Sequence, residues 1–257
     1  MTRALPSRPL PRDANGERDC RLGVLAFGDS ITNGGGELQW GVALQSWASW
    51  VARGLGLPIS NYATDGALVG DVLGIQIPAF ERLGAHRDAR YELGCVYIGV
   101  NDVRRFEWDS GWFERDFTEV ARFLAGRCDR VLVVTTPLDL GRPRAGPKVR
   151  DLDAVVERVA GRLGALVLDL RSFGARNLVM ADHVHPTAFG QVAIAERALA
   201  VLEADGMNVR ARPSALIRYE PTRWQRLRGD WTYAYRHLKV SVRAAAIVAW
   251  VRMRGAS

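Results

Sequence analysis

Between residues 21 and 202 the chain alternates short, almost uninterrupted apolar runs with longer stretches in which apolar residues recur every three to four positions. That alternation constrains the fold more than any other feature. A run that is apolar at nearly every position, such as 22–27 ending at Gly28, has no polar face to give to water and suits a strand inside a parallel sheet. Similar runs at 59–63, 93–98, 130–135 and 166–170 predict four more strands. Trp40, Leu44, Trp47 and Val51 predict a helix over 38–55, and the same spacing predicts helices over 68–83, 112–125, 149–163 and 188–202. Five strands alternating with helices imply an α/β chain whose parallel sheet is covered on both faces. With 48% hydrophobic and 25% charged residues, and glycine and proline spread along its length, the chain does not suit a collagen-like, coiled-coil or wholly disordered reading.

In an open parallel sheet, ligands bind outside the carboxyl ends of the strands, so the chemistry is to be sought in the loops that follow the five runs. The first loop reads Gly28-Asp29-Ser30-Ile31-Thr32-Asn33-Gly34. It lacks Gly-x-Gly-x-x-Gly, and no lysine follows it, since the chain's two lysines are Lys148 and Lys239; a phosphate cradle is therefore not expected. Nor is it the Gly-x-Ser-x-Gly elbow of ordinary α/β-hydrolases. What remains is a serine at a strand-to-helix turn, either a helix cap or a nucleophile.

The fifth loop supplies partners for such a serine. In Asp182-His183-Val184-His185-Pro186 the first and fourth residues are spaced so that a carboxylate can hold one imidazole nitrogen while the other accepts a hydroxyl proton. Asp182, His183 and His185 also permit a metal-ligand reading, but no further carboxylate or cysteine cluster accompanies them, and no metal is expected. Loops two and three contain Gly66 and Asn101. A glycine N–H and an asparagine amide are neutral donors of the kind that stabilise an oxyanion, although each alone reads equally well as a turn former.

Taken together, Gly28-Asp29-Ser30-Ile31-Thr32, Gly66, Gly99-Val100-Asn101-Asp102 and Asp182-His183-Val184-His185-Pro186 resemble, in order and spacing, the four blocks of the SGNH (GDSL-type) esterase and lipase superfamily. The resemblance spans roughly residues 22–202. It implies a flavodoxin-like three-layer α/β/α sandwich with a five-stranded parallel sheet. It also implies Ser30 as nucleophile, His185 as base and then acid, Asp182 as the partner that orients it, and an oxyanion hole of the Ser30 N–H, the Gly66 N–H and the Asn101 amide. The implied reaction is hydrolysis of a carboxylic ester (lipid, lysophospholipid or acylated sugar) through an acyl-enzyme, with no cofactor. Acyl transfer to an alcohol by the same residues, or a membrane-associated interaction module, are the alternatives. Asp29, Arg104, Arg105 and Phe106 are the expected substrate contacts. Arg142, Arg144, Lys148 and Arg150 on 137–150 add basic groups that suit an anionic ester.

The formal charge of +7 would ordinarily raise a nucleic-acid hypothesis, but its distribution argues otherwise. Residues 208–257 hold eleven basic and two acidic side chains, a net +9, while the remainder is −2. The expected organisation is a disordered leader at 1–20, a hydrolase domain at 21–205 and a basic C-terminal extension at 206–257. In that extension Trp224, Leu227, Trp231, Ala234 and Leu238 recur at helical spacing between arginines, followed by an apolar run at 244–251. A basic amphipathic helix with interfacial tryptophans suits an anionic membrane surface, and packing against the body or a second subunit is the competing expectation. No nucleic-acid reading motif is present. Cys20, Cys95 and Cys128 are too few and too dispersed for a disulfide framework or a zinc ribbon. With no signal-peptide core read at the N-terminus and no apolar stretch long enough to cross a bilayer, the expected location is cytoplasmic, with a peripheral place at the inner membrane face as the alternative.

Overall fold

A computed structural model describes residues 21–37, 42–82, 89–217 and 222–255. The expected leader at 1–20, including Cys20, and Trp40 lie outside the described residues. In chain order the elements are β1 (Val24–Gly28), α1 (Ser30–Asn33), α2 (Trp47–Leu55), β2 (Ile59–Asn61), α3 (Val69–Asp71), a π-helical turn (Val72–Gln76), α4 (Ile77–Arg82), β3 (Tyr91–Tyr97), α5 (Ser110–Ala125), β4 (Cys128–Val134), α6 (Lys148–Leu163), β5 (Leu166–Leu168), α7 (Ala188–Ala204), a 3-10 turn (Pro213–Leu216) and α8 (Arg223–Gly255). All five expected strands are present.

The strands form one wholly parallel sheet in the order β2-β1-β3-β4-β5. Every residue of β1 is buried, and β3 and β4 are nearly so, because helices cover both faces: α2 packs on α7, and α5 packs on α6. The expected three-layer α/β/α sandwich is therefore the fold of the chain. The chain leaves β1 toward β2, then returns past β1 to β3, so β1 and β3 are neighbours whose connections run in opposite directions. A crevice opens at their carboxyl ends, and the loops after β1 and β3 line it.

Two boundaries differ from the sequence reading. The first long helix begins at Trp47, not near residue 38, because Ser46 adopts an extended backbone (ψ 151°) and its hydroxyl accepts the Ser49 N–H at 3.1 Å, capping the helix. Val42 to Ser46 are extended or irregular. At the other end, the body does not stop at Asp205. Arg210 and Ala211 N–H donate to Gly54 O on α2 (2.8 and 3.1 Å), Pro213 is buried, and Ser214 N–H donates to Glu196 on α7. The chain thus stays on the body until about Ile217, beyond the point where the charge balance changes.

Candidate active site

The turn after β1 is built around backbone contacts that only a glycine permits. A Cβ on Gly28 would lie 2.4 Å from the Tyr97 carbonyl oxygen and 2.6 Å from Thr32 Oγ1, so β1 and β3 can approach only with glycine there. Asp29 is fully buried, and its Oδ1 accepts the Ile31 N–H at 2.9 Å, which starts α1 at Ser30. Burial pushes the Asp29 carboxyl up to about 7, with the Ile31 N–H and the His185 charge pulling the other way. Its place beneath the turn differs from the expected contact with substrate: a side chain with no exposed surface supports Ser30 from behind.

Two buried glutamines hold this turn. Gln76, on the π-helical turn, accepts the Gly28 N–H at 3.0 Å and donates to Gly28 O at 2.7 Å and Thr64 Oγ1 at 3.1 Å. Gln191, on α7, accepts the Trp47 N–H at 2.7 Å and donates to Ile31 O at 3.0 Å and Gly35 O at 3.1 Å. The reading of the sequence passed over both. Each is an amide set among the apolar positions of a helix, Gln76 between Val72 and Phe80, Gln191 between Ala188 and Ala195, and an amide in an apolar stripe is the signal that could have found them.

Ser30 Oγ lies 2.9 Å from His185 Nε2, and His185 Nδ1 lies 2.7 Å from Asp182 Oδ2. The other carboxylate oxygen, Oδ1, accepts the Val184 N–H at 2.9 Å and the His185 N–H at 3.1 Å. Residues 155 positions apart in sequence therefore form one hydrogen-bonded line. Burial opposes the charge on Asp182, but His185 and the two N–H groups outweigh it and hold the carboxyl below its ordinary value. The Asp182 carboxylate in turn raises His185 above the ordinary imidazole value against the effect of burial, while the charge of Arg104 works to lower it.

The loops after β2 and β3 are tied to each other. Asn101 Nδ2 donates to Ala67 O at 3.1 Å, and the Asp102 carboxylate accepts the Val69 N–H at 3.1 Å. An amide nitrogen carries two protons, so holding Ala67 leaves Asn101 a second N–H. Gly66, one residue before Ala67, has the left-handed backbone (φ 75°) that its turn requires. Asn33 Nδ2 donates to Asp65 Oδ1 at 2.9 Å, linking this loop to the Ser30 turn. Ser30, Gly66 and Asn101 are thus on loops joined to one another.

His183 is not part of the line through Ser30. Its backbone is left-handed (φ 57°), and its ring lies between Asp139 Oδ2 (2.9 Å from Nδ1) and an Arg142 nitrogen (2.8 Å from Nε2). Arg142 and Arg144 both pair with Asp139, and Lys148 Nζ donates to Arg105 O, so these basic groups hold the rim loops together. Arg104, Arg105 and Phe106 are exposed, Phe106 by 91%. Among the described residues no three His, Cys, Asp or Glu side chains converge as a metal site.

Residues 26–193 match the GDSL-like lipase/acylhydrolase family. The chain belongs to that family. Membership classes this GDSL-like chain as a carboxylic ester hydrolase, and the matched segment runs from β1 into α7, spanning every loop described above. Among solved structures, the chain is similar to an α/β hydrolase enzyme from the metagenome of Lake Arreo, Spain, at 19% identity and a TM-score of 0.57, covering 70% of this chain and 94% of that one. It is also similar to an acetylxylan esterase from Geobacillus stearothermophilus, at 19% identity and a TM-score of 0.55, covering 75% of this chain and 100% of that one. These likenesses establish the fold of this GDSL-like hydrolase. No curated protein matches it.

Proposed function

We propose that the chain hydrolyses carboxylic esters with Ser30 as nucleophile, His185 as proton carrier and Asp182 as its orienting partner. The observation that carries this reading is the line of 2.9 and 2.7 Å contacts from Ser30 Oγ through His185 to Asp182. Asp182 keeps a proton on Nδ1, which leaves Nε2 free to take the Ser30 proton as Oγ attacks the ester carbonyl. The oxyanion that develops is received by the Ser30 and Gly66 N–H groups and the second N–H of Asn101, donors that need no reorganisation because the loops carrying them are already tied together. The imidazolium then passes its proton to the departing alcohol. An acyl-Ser30 remains, and water activated by the same Nε2 releases the acid and restores the serine. Every step uses side chains and backbone N–H groups of this protein and water.

A groove lined by Val69, Gly70, Asp102, Arg105, Trp108 and Trp112 runs beside Asn101. Tryptophan faces beside carboxylates and an arginine suit the polar, hydroxyl-bearing alcohol portion of an acylated sugar or a lysophospholipid. Arg105 of this lining and its exposed neighbours Arg104 and Phe106 are the proposed substrate contacts. The test is turnover of p-nitrophenyl acetate by the wild type and by Ser30→Ala. The variant is expected to lose at least about 10³-fold in kcat while keeping its circular dichroism spectrum, since only one half-buried hydroxyl is removed. Retention of more than a tenth of the activity would overturn the assignment.

A further inference from the structure

Helix α8 continues unbroken from Arg223 to Gly255, about 50 Å at the usual rise per residue. One of its faces rests on the body. Asp230 pairs with Arg176, whose guanidinium also lies 5.0 Å from the Tyr233 ring; Arg236 pairs with Glu37; and the His237 ring is 6.3 Å from that of His183. Glu37 and His183 belong to the segments that flank the Ser30–His185 pair, because Glu37 O accepts the Ala188 N–H and His183 is two residues from His185. The helix therefore lies against the rim of the candidate active site.

Its opposite face has no partner among the described residues. Trp224 (81% exposed), Leu227, Trp231 (77%), Tyr235, Leu238 and Val242 are all exposed, and at 100° per residue they fall in one stripe about 80° wide, whose centre lies about 160° from Tyr233 and about 140° from Arg236 on the face that meets the body. Exposed Arg223, Arg228 and Lys239 flank that stripe within about 40° of its edges, and exposed Arg243 lies further round on the Lys239 side. The described helix carries a single acidic residue, Asp230, and that one is taken by Arg176.

We propose that α8 is an in-plane membrane anchor, which lays its Trp224–Val242 stripe into the headgroup region of an anionic bilayer and holds the sheet end bearing Ser30 and His185 toward the lipid. Two features of the helix argue for this occupant. No helix of the described residues is long and apolar enough to cross a membrane, so the stripe meets lipid from the side. A second copy of the chain docking on the stripe would set the two rows of arginine and lysine against each other with no carboxylate between them, whereas anionic lipid supplies the missing counter-charge. Tryptophan and tyrosine, apolar in body and polar at the tip, are also the aromatic side chains that settle at a membrane interface. The anchor does not depend on the assignment of Ser30, so vesicle binding and ester turnover can fail separately.

The experiment is co-sedimentation of the full chain with vesicles of phosphatidylcholine alone and with 30% phosphatidylglycerol, beside two variants with unchanged circular dichroism. The first is Trp224→Ser/Trp231→Ser/Leu238→Ser and the second is Lys239→Gln/Arg243→Gln. The wild type is expected to bind the anionic vesicles at least tenfold more strongly than the neutral ones. The stripe variant should lose at least tenfold, and the charge variant about 25-fold, near fivefold for each basic group removed, with most of that difference abolished by 0.5 M salt. Wild-type binding to neither vesicle, or equal binding by the stripe variant, overturns the proposal. So does a stable dimer of the wild type that the stripe variant converts to monomer, which would make a second copy the occupant, and so does retention on immobilised DNA or RNA in place of vesicles.

Discussion

Replacing Asp182 with asparagine tests the reading of the site most sharply, because the structure dictates which way the new amide must face. Asp182 Oδ1 accepts two backbone N–H groups, from Val184 and His185, at 2.9 and 3.1 Å. In Asp182→Asn only the amide oxygen can meet those donors; the NH₂ group must then take the place of Oδ2, 2.7 Å from His185 Nδ1. An NH₂ there requires Nδ1 to accept, which moves the imidazole proton to Nε2. The nitrogen that faces Ser30 Oγ becomes a donor and can no longer act as base. Trapping the wrong tautomer in a serine–histidine–carboxylate relay costs about 10⁴-fold in kcat, or roughly 5 kcal/mol of barrier. Because Asn is isosteric with Asp and the side chain is part-exposed, the fold should be retained. Loss of the carboxylate also removes what raises the His185 pKa, so the acidic limb of the residual activity should move to lower pH. The assay is p-nitrophenyl acetate hydrolysis from pH 5 to 9 with a melting curve for each protein. A variant within tenfold of wild type at pH 8, with the same melting temperature, would refute the tautomer argument.

Arg104→Gln removes a positive charge that disfavours the His185 imidazolium; the His185 pKa should rise, and the acidic limb of the pH–rate profile should move to higher pH whatever the variant does to substrate affinity. Gln76→Leu strips the buried Gly28 N–H of its acceptor, an expected loss of about 2–3 kcal/mol that should appear as a melting temperature lower by about 4–10 °C in calorimetry.

The strands were legible because β1, β3 and β4 are buried on both faces and so carry almost no polar residues to blur the pattern. The segment with Ser30 follows β1 at once and the one with Asn101 follows β3 closely, whereas Asp182 and His185 come 14 or more residues after β5, so their meeting with Ser30 is a product of the fold rather than of a strand end. Helix starts were harder, since Ser46 ends an irregular segment with a cap that apolar periodicity does not register. Gln76 and Gln191 were invisible to a search for reactive side chains, because they act on backbone groups rather than on a substrate. Asp29 was misplaced because the sequence puts it beside Ser30 without saying which of the two faces outward. The charge balance changes near residue 208, but Arg210 and Ala211 are held by backbone hydrogen bonds to Gly54 on α2 that charge does not report.

The grip of Gln191 on two separate segments has a consequence for how the molecule comes apart. Its one side chain bonds the Trp47 N–H at the head of α2 and the carbonyls of Ile31 and Gly35, which follow Ser30 in its turn, from a helix that begins three residues after His185. The turn cannot fray while α7 stays seated, and α7 cannot lift without exposing three buried backbone groups together. The Ser30 loop and the His185 loop, though drawn from opposite ends of the chain's matched segment, should therefore open as one cooperative unit. Amide exchange around Ile31 and around Gln191 is expected to fall in the same slow class, and in denaturant the loss of activity is expected to coincide with the loss of structure rather than precede it.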